Sequence, residues 1–156
     1  MNAQPAFTRY LTPSGRPFTA PESAAALARW RRHWSEHGFG IWAVEERATS
    51  RLIGRVGVQH HRLWPDDPEV GWGLDPQFWG RGYATEAAVA AIEHGFATLD
   101  VPRLVSIVHP DNRASIAVQE RLGIRPWRTV PWPEGGIDLE VRAIERARWT
   151  RLQSSA

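Results

Sequence analysis

Gln77-Phe78-Trp79-Gly80-Arg81-Gly82-Tyr83-Ala84-Thr85-Glu86 is the most informative stretch of the 156-residue chain. It follows a short apolar run, Glu69–Leu74, that reads as a strand. It opens an alanine-rich segment, Tyr83–Leu99, that reads as a helix. Helix N-termini offer unpaired N–H groups and the positive end of a dipole. Glycines let the backbone approach a bound phosphate where a Cβ would clash, and the small residues Ala84 and Thr85 keep that access open. The loop therefore suits a pyrophosphate without lysine or metal. Read for structure alone, it is a glycine turn leading into a helix.

Working outward, Arg103–His109 is an apolar strand. Pro110-Asp111-Asn112 then opens a short helix, Arg113–Leu122, that Gly123 stops. Ile124–Trp132 and Ile137–Arg146 read as a closing pair of strands. Upstream, Ile41–Glu46 and Leu52–His60 form a hairpin around Ala48–Arg51, and Arg62–Pro68 is a loop. Thr19 and Glu22 have capping-box spacing with Pro21 in the first turn, so a helix runs from there to His37 and ends at Gly38. Leu27, Trp30 and Trp34 fall on one of its faces. Residues 1–18 read as irregular and residues 152–156 as a frayed tail. The chain is expected to be one mixed α/β (α+β) domain over residues 1–156.

Composition narrows the chemistry. No cysteine is present, so disulfides, thiolate metal sites and cysteine nucleophiles are excluded. All 19 basic residues are arginines, which excludes a Schiff-base lysine and a P-loop lysine. Against 17 acids the net charge is +2, and no basic run interleaves with aromatics, so nucleic acid is not an expected partner. No apolar run approaches the ~20 residues that span a bilayer, and the N-terminus lacks a signal-peptide pattern, so a cytoplasmic location is expected. The six histidines show no metal-ligand spacing with carboxylates, and no metal is expected. Adjacent strand residues His60 and His61 point to opposite faces and cannot chelate together. Trp64, Trp127 and Trp132 either pack or wall an acceptor pocket.

The string Glu69-Val-Gly-Trp-Gly-Leu-Asp-Pro-Gln-Phe-Trp-Gly-Arg-Gly-Tyr-Ala-Thr-Glu-Ala87 resembles the acetyl-CoA signature of the GNAT acyltransferase superfamily, in the form found in its RimJ/RimL-type branch. That branch acetylates protein N-termini. A second block, His109-Pro-Asp-Asn-Arg-Ala-Ser-Ile-Ala-Val-Gln-Glu-Arg-Leu-Gly123, is similar to the branch's Asn-x-x-Ser…Glu-Lys-Leu-Gly-Phe segment, with Ile124 in place of the phenylalanine. Gly38–Gly57 looks like the family's central hairpin, and the resemblance runs from about Tyr10 onward.

The resemblance implies a mostly antiparallel sheet whose central parallel strands splay, with flanking helices. It also implies that the chain lacks the family's first strand and helix, an exposed edge that a homodimer would cover. The backbone of Trp72, Gly73 and Leu74 would lie beside the pantetheine arm of acetyl-CoA. Gln77, Gly80, Arg81, Gly82, Tyr83, Ala84 and Thr85 would hold the pyrophosphate, with Asn112 nearer the thioester. An N–H near Leu74 would stabilise the oxyanion. Arg81 and Arg121 are either phosphate contacts or solvated arginines. Glu69 is either the base that deprotonates the acceptor amine or a strand-end surface residue. Ser115 either relays a proton to the departing thiol or ties down its helix start. The acceptor is a peptide N-terminal amine or a small-molecule amine such as an antibiotic, a polyamine or an amino acid. A non-catalytic acyl-CoA-binding module is the alternative.

Overall fold

Thr19 and Glu22 close the capping box that their spacing predicts. The Thr19 hydroxyl accepts from the Glu22 N–H, and the Glu22 carboxylate accepts from the Thr19 N–H at 2.8 Å. Helix α2, Ala20–His37, follows and ends at Gly38, whose φ of 74° lets its N–H reach the Trp34 carbonyl. In this computed structural model, which describes residues 1–61, 64–132 and 135–154 (residues 64–66 by their backbone alone), α2 turns Ala26, Trp30, His33 and Trp34 inward. That spacing is one helical stripe. Leu27 falls outside it and is exposed, contrary to the face expected from the sequence.

Six strands form one sheet: β1 Ile41–Glu46, β2 Arg51–His61, β3 Trp64–Leu74, β4 Arg103–Val108, β5 Arg125–Pro131 and β6 Asp138–Glu145. Their order is β1-β2-β3-β4-β6-β5. Every neighbouring pair is antiparallel except β3 and β4. Helix α3, Tyr83–Thr98, makes the crossover between those two, and α4, Arg113–Arg121, leads from β4 toward β5. This matches the expected architecture of a mixed sheet with flanking helices. β3 begins earlier than the sequence suggests, because the loop expected over 62–68 is strand from Trp64 onward; residues 62 and 63 lie outside the described residues.

Strand alternation gives the sheet two faces. One presents Val56, Val58, Val70, Leu104 and Ile144 to Ala88, Ala91, Ile92 and Phe96 of α3 and to Val118 and Leu122 of α4. The other buries Val105, Val130, Leu139 and Val141 at one end.

Both termini are more ordered than their composition predicts. Residues 5–8 form a short helix, α1, with Phe7 and Thr8 buried. Phe7 sits over Gly73, where an added Cβ would lie 2.9 Å from its ring. The Thr8 hydroxyl donates to the carbonyls of Gln4 and Gly15. Single long-range anchors of this kind carry no periodic signal. At the other end α5, Arg146–Gln153, runs into the first two residues of the expected frayed tail. Its Trp149 is buried in the main core. Arg146 donates to the carbonyls of Phe96, Leu99 and Val101 at the C-terminal end of α3, satisfying groups a helix leaves open.

Replacing Phe7 by alanine is expected to lower unfolding stability by about 3 kcal/mol, the usual cost of emptying a buried phenylalanine site. Urea denaturation checks this; an irregular, unpacked N-terminus would give no change.

Candidate active site

Between β3 and β4 the parallel ladder is a single register pair among the described residues, Glu69↔Val105. Beyond it the strands separate, although β3 continues to Leu74 and β4 to Val108. The backbone groups facing this gap follow from the antiparallel ladders on either side. The Asp75 N–H donates to the Ile53 carbonyl at 2.8 Å, so by two-residue alternation Gly73 bonds to β2, while Trp72 and Leu74 turn their N–H and C=O groups toward β4. The same count from the Arg146 N–H to the Pro102 carbonyl directs Val105 and Ile107 toward β3. Trp72, Leu74 and Ile107 thus line a gap that no strand fills. The Leu74 carbonyl is taken by the Trp79 indole N–H at 2.8 Å, which leaves its N–H as the group available to a guest. Of the three residues expected there, Gly73 serves differently: its missing side chain makes room for Phe7 and Arg55.

Glu69 stands where the strands part. Its carboxylate accepts from the Ile107 N–H and from the Gln59 side chain, its register partner on β2. Burial pushes its pKa up to about 7; those two hydrogen bonds and the nearby positive charge of Arg55 pull the other way without cancelling the effect. A carboxylate that titrates near neutrality in a cleft is matched to general-base work. The alternative of a strand-end surface residue does not fit these surroundings.

The glycine loop lies at the far end of β3. Gly80 and Gly82 have φ of 73° and 84°, a region that favours glycine, and an added Cβ at either would meet nothing within 4 Å. Conformation demands these glycines, and the space above them is open. Gly82 is the N-cap of α3 and contributes no side-chain cap, so the first-turn N–H groups of Tyr83, Ala84 and Thr85 lack that partner. Gln77 is in a 3-10 turn, Pro76–Phe78, whose start is capped by Asp75. Arg81 is engaged elsewhere: it pairs with Glu46 at 3.2 Å and stacks over Phe78 and Tyr83. The Tyr83 hydroxyl donates to the same carboxylate at 2.7 Å, and Thr49 donates to its other oxygen at 2.7 Å. The Tyr83 and Thr49 hydrogen bonds, with the nearby Arg81 charge, hold the Glu46 carboxyl below its ordinary range.

At the end of β4, Asn112 is the N-cap of α4, and its side-chain oxygen accepts from the Ser115 N–H at 3.2 Å. The cap is made by Asn112 and the Ser115 backbone, so the Ser115 hydroxyl is not spent on it. Arg121 lies at the opposite end of α4, about 13 Å away at 1.5 Å per residue, and is exposed. Trp132 is half-buried beside His109, which also stacks on Tyr10. Trp127 is exposed, with Arg103 and Arg128 against its ring; Trp64 lies outside the residues whose side chains are described. His60 joins His33, His37 and Phe39 in an aromatic cluster, and both nitrogens of His33 are engaged, one with the Phe39 carbonyl and one with the His60 N–H.

Residues 1–125 match the description of the acetyltransferase (GNAT) domain. The chain belongs to the GNAT acetyltransferase family. A crystal structure of the acetyltransferase from Agrobacterium tumefaciens superposes on this GNAT chain with a TM-score of 0.73 and 36% identity, covering 85% of this chain and 76% of that one. The FsC-acetyl coenzyme A-N(2)-transacetylase of Aspergillus fumigatus is 32% identical over 89% of this chain and 64% of its own length. The spermidine N(1)-acetyltransferase of Escherichia coli is 36% identical over 57% of this chain and 45% of its own. The chain thus spans less than two thirds of the length of such curated relatives. The coenzyme that the family implies fits the residues present: open space over two positive-φ glycines, a helix start without a side-chain cap, and backbone groups facing an unfilled gap.

Three residues beside this GNAT site went unnoticed in the sequence. Gln59 was legible only through its register with Glu69, and Glu46 looked like an ordinary strand-end acid. Arg55, inside the run Leu-Ile-Gly-Arg-Val-Gly-Val, carried a signal: a charge in the middle of an apolar strand.

Because the folded state raises the Glu69 pKa, it binds that proton more tightly than the unfolded chain does. The stabilisation is complete below pH ~4.3 and is lost as pH rises toward about 7. The stability difference between Glu69→Gln and the wild type is therefore expected to move in favour of the variant across that window. Paired urea titrations at pH 4.5 and 7.5 measure it, and a constant difference would contradict the buried-carboxylate assignment.

Proposed function

We propose that this chain is an acetyl-CoA-dependent N-acetyltransferase that acetylates a primary amine directly. The observation that carries the reading is the placement of the Glu69 side chain, half-buried at the point where β3 and β4 part, where burial pushes its pKa up to about 7. Acetyl-CoA supplies the acyl group as a thioester: an N–C amide bond forms, the C–S bond breaks, and coenzyme A leaves as the thiol. Gly80, Gly82 and the first-turn N–H groups of Tyr83, Ala84 and Thr85 hold its pyrophosphate. The Trp72 backbone and the Leu74 N–H align its arm in the gap. Asn112 and Ser115, at the start of α4 beyond the end of β4, are the residues that the family resemblance puts near the thioester. Glu69 takes the proton from the amine, directly or through a water. The Ser115 hydroxyl orients the proton that reaches the sulfur. Arg81 joins the phosphate contacts only by exchanging Glu46 for them, and exposed Arg121 is the weaker candidate.

The amine must be neutral to react, so a more basic acceptor asks more of the Glu69 base. An α-amine of pKa ~7.8 is roughly a tenth neutral at pH 7, whereas a lysine-like amine of pKa ~10.4 is neutral less than about a thousandth of the time. The RimJ/RimL-like motifs favour an N-terminal α-amine. The second reading is a small-molecule amine, supported by relatives named for spermidine and for an N(2)-transacetylation, both above 30% identity.

Acetyl-CoA binding by calorimetry tests the first step: saturable binding is expected, and Gly82→Trp is expected to abolish it. In turnover, kcat/KM should fall on the acid side with an apparent pKa near 7. Glu69→Gln should remove that limb and lower kcat by about 100-fold or more. Binding without turnover of any amine would favour the acyl-CoA-binding module, and no binding at all would refute the site.

A further inference from the structure

Arg55 is a strand residue on the face that holds Glu69, and its guanidinium meets aromatic rings in place of an acid. It lies on β2 opposite Gly73, on the side of the sheet that Glu69 occupies and α3 does not. Its guanidinium is sandwiched between Phe7 of α1 and Trp30 of α2, with 5.3 and 4.8 Å to the ring centroids. A Cβ on Gly73 would lie 3.1 Å from its Nη1. No hydrogen bond or ion pair is formed by it among the described residues. Burial pulls its pKa down to about 10, opposed by the charge of Glu69, with which it forms no ion pair. A largely buried cation without a counter-ion is costly, and retaining one calls for a guest that completes it.

The guest has a place to sit. Gly71 lies on β3 midway between Glu69 and Gly73, and an added Cβ there meets nothing within 4 Å. Along β3 those outer rungs are about 13 Å apart at 3.3 Å per residue, with the open rung of Gly71 between them. Coenzyme phosphates do not reach this position, because the glycine loop leads into α3 on the other face. One end of the opening offers a proton acceptor and the other a planar, fork-shaped cation.

We propose that Arg55 receives a carboxylate of the acceptor, so that the acceptor is a small primary amine that also carries a carboxylate. The proposal rests on acetyl transfer at Glu69 and, for the acceptor, takes the second reading above, a small-molecule amine, over the peptide α-amine. A polyamine would bring a second positive charge against Arg55, which selects against it.

The test uses matched acceptors: β-alanine and 4-aminobutyrate against their carboxamides, with spermidine and a Ser-Ala-Ala amide as further arms. Release of the coenzyme thiol is the readout. The acids are expected to exceed their carboxamides in kcat/KM by roughly tenfold or more, the value of a buried charge-assisted pair. Arg55→Met should bring that ratio close to one, and Arg55→Lys should restore part of it. Equal or better turnover of a carboxamide, spermidine or the peptide amide would overturn the proposal, as would a ratio that survives Arg55→Met. If acetyl-CoA binds but none of these amines turns over, calorimetry of the acids with coenzyme A present decides: saturable binding lost in Arg55→Met supports the proposal, and no binding overturns it. Failure to bind acetyl-CoA would instead remove the acetyl-transfer reading itself. The melting temperature of Arg55→Met is expected to equal or exceed that of the wild type, since an unpaired buried charge has been removed. A fall of more than about 5 °C would mark Arg55 as a packing residue and overturn its binding role.

Discussion

The separation of two parallel strands governs this molecule. A sheet that opens leaves backbone donors and acceptors without partners, and buried groups in that condition cost free energy. At the narrow end of the opening the Glu69 side chain takes the Ile107 N–H. Nearer the loop, the Trp79 indole takes the Leu74 carbonyl. What remains unsatisfied is a short row of backbone groups around Trp72 and Leu74, and these are the groups an extended ligand with amides of its own can pair. The fold is thus incomplete in a defined place, and the same carboxylate that closes one end of the defect is the group placed to accept a proton there.

The segment ahead of the sheet completes the other side. Phe7 fills the space over Gly73, Gln4 donates to the carboxylate of Asp75, and Trp30 covers Arg55. Asp75 also caps the turn that precedes the glycine loop. One carboxylate therefore links the start of the N-terminal helix to the glycine-loop end of β3. This makes α1 part of the architecture around the acceptor opening.

Much of this was readable in the chain. The capping box of α2, the glycine loop into α3 and the Asn112 start of α4 are local patterns whose partners lie within a few residues, so spacing alone reveals them. The position of Glu69 was readable from its fixed offset to the loop, but its environment was not, because Gln59 and Ile107 reach it across two different strands. The same limit hid α1 and α5. Phe7 is held by a glycine 66 residues away, and Arg146 by carbonyls at the end of α3, so neither segment advertises itself by periodicity. Leu27 failed for the opposite reason: it fitted a helical stripe, but the sheet below is met by the neighbouring stripe of Ala26 and Trp30.

Glu46 gives the glycine loop an unusual character. By engaging Arg81 and the Tyr83 hydroxyl, it neutralises the loop's side-chain cation before any anion arrives. What is left to attract a phosphate is a set of amide dipoles fixed in the backbone of the loop and the first turn of α3. Dissolved ions screen exposed charges over about 10 Å at ordinary ionic strength, but they have little purchase on amides that contact their guest directly. Under the proposed function, recognition built this way would depend on shape and direction more than on net charge.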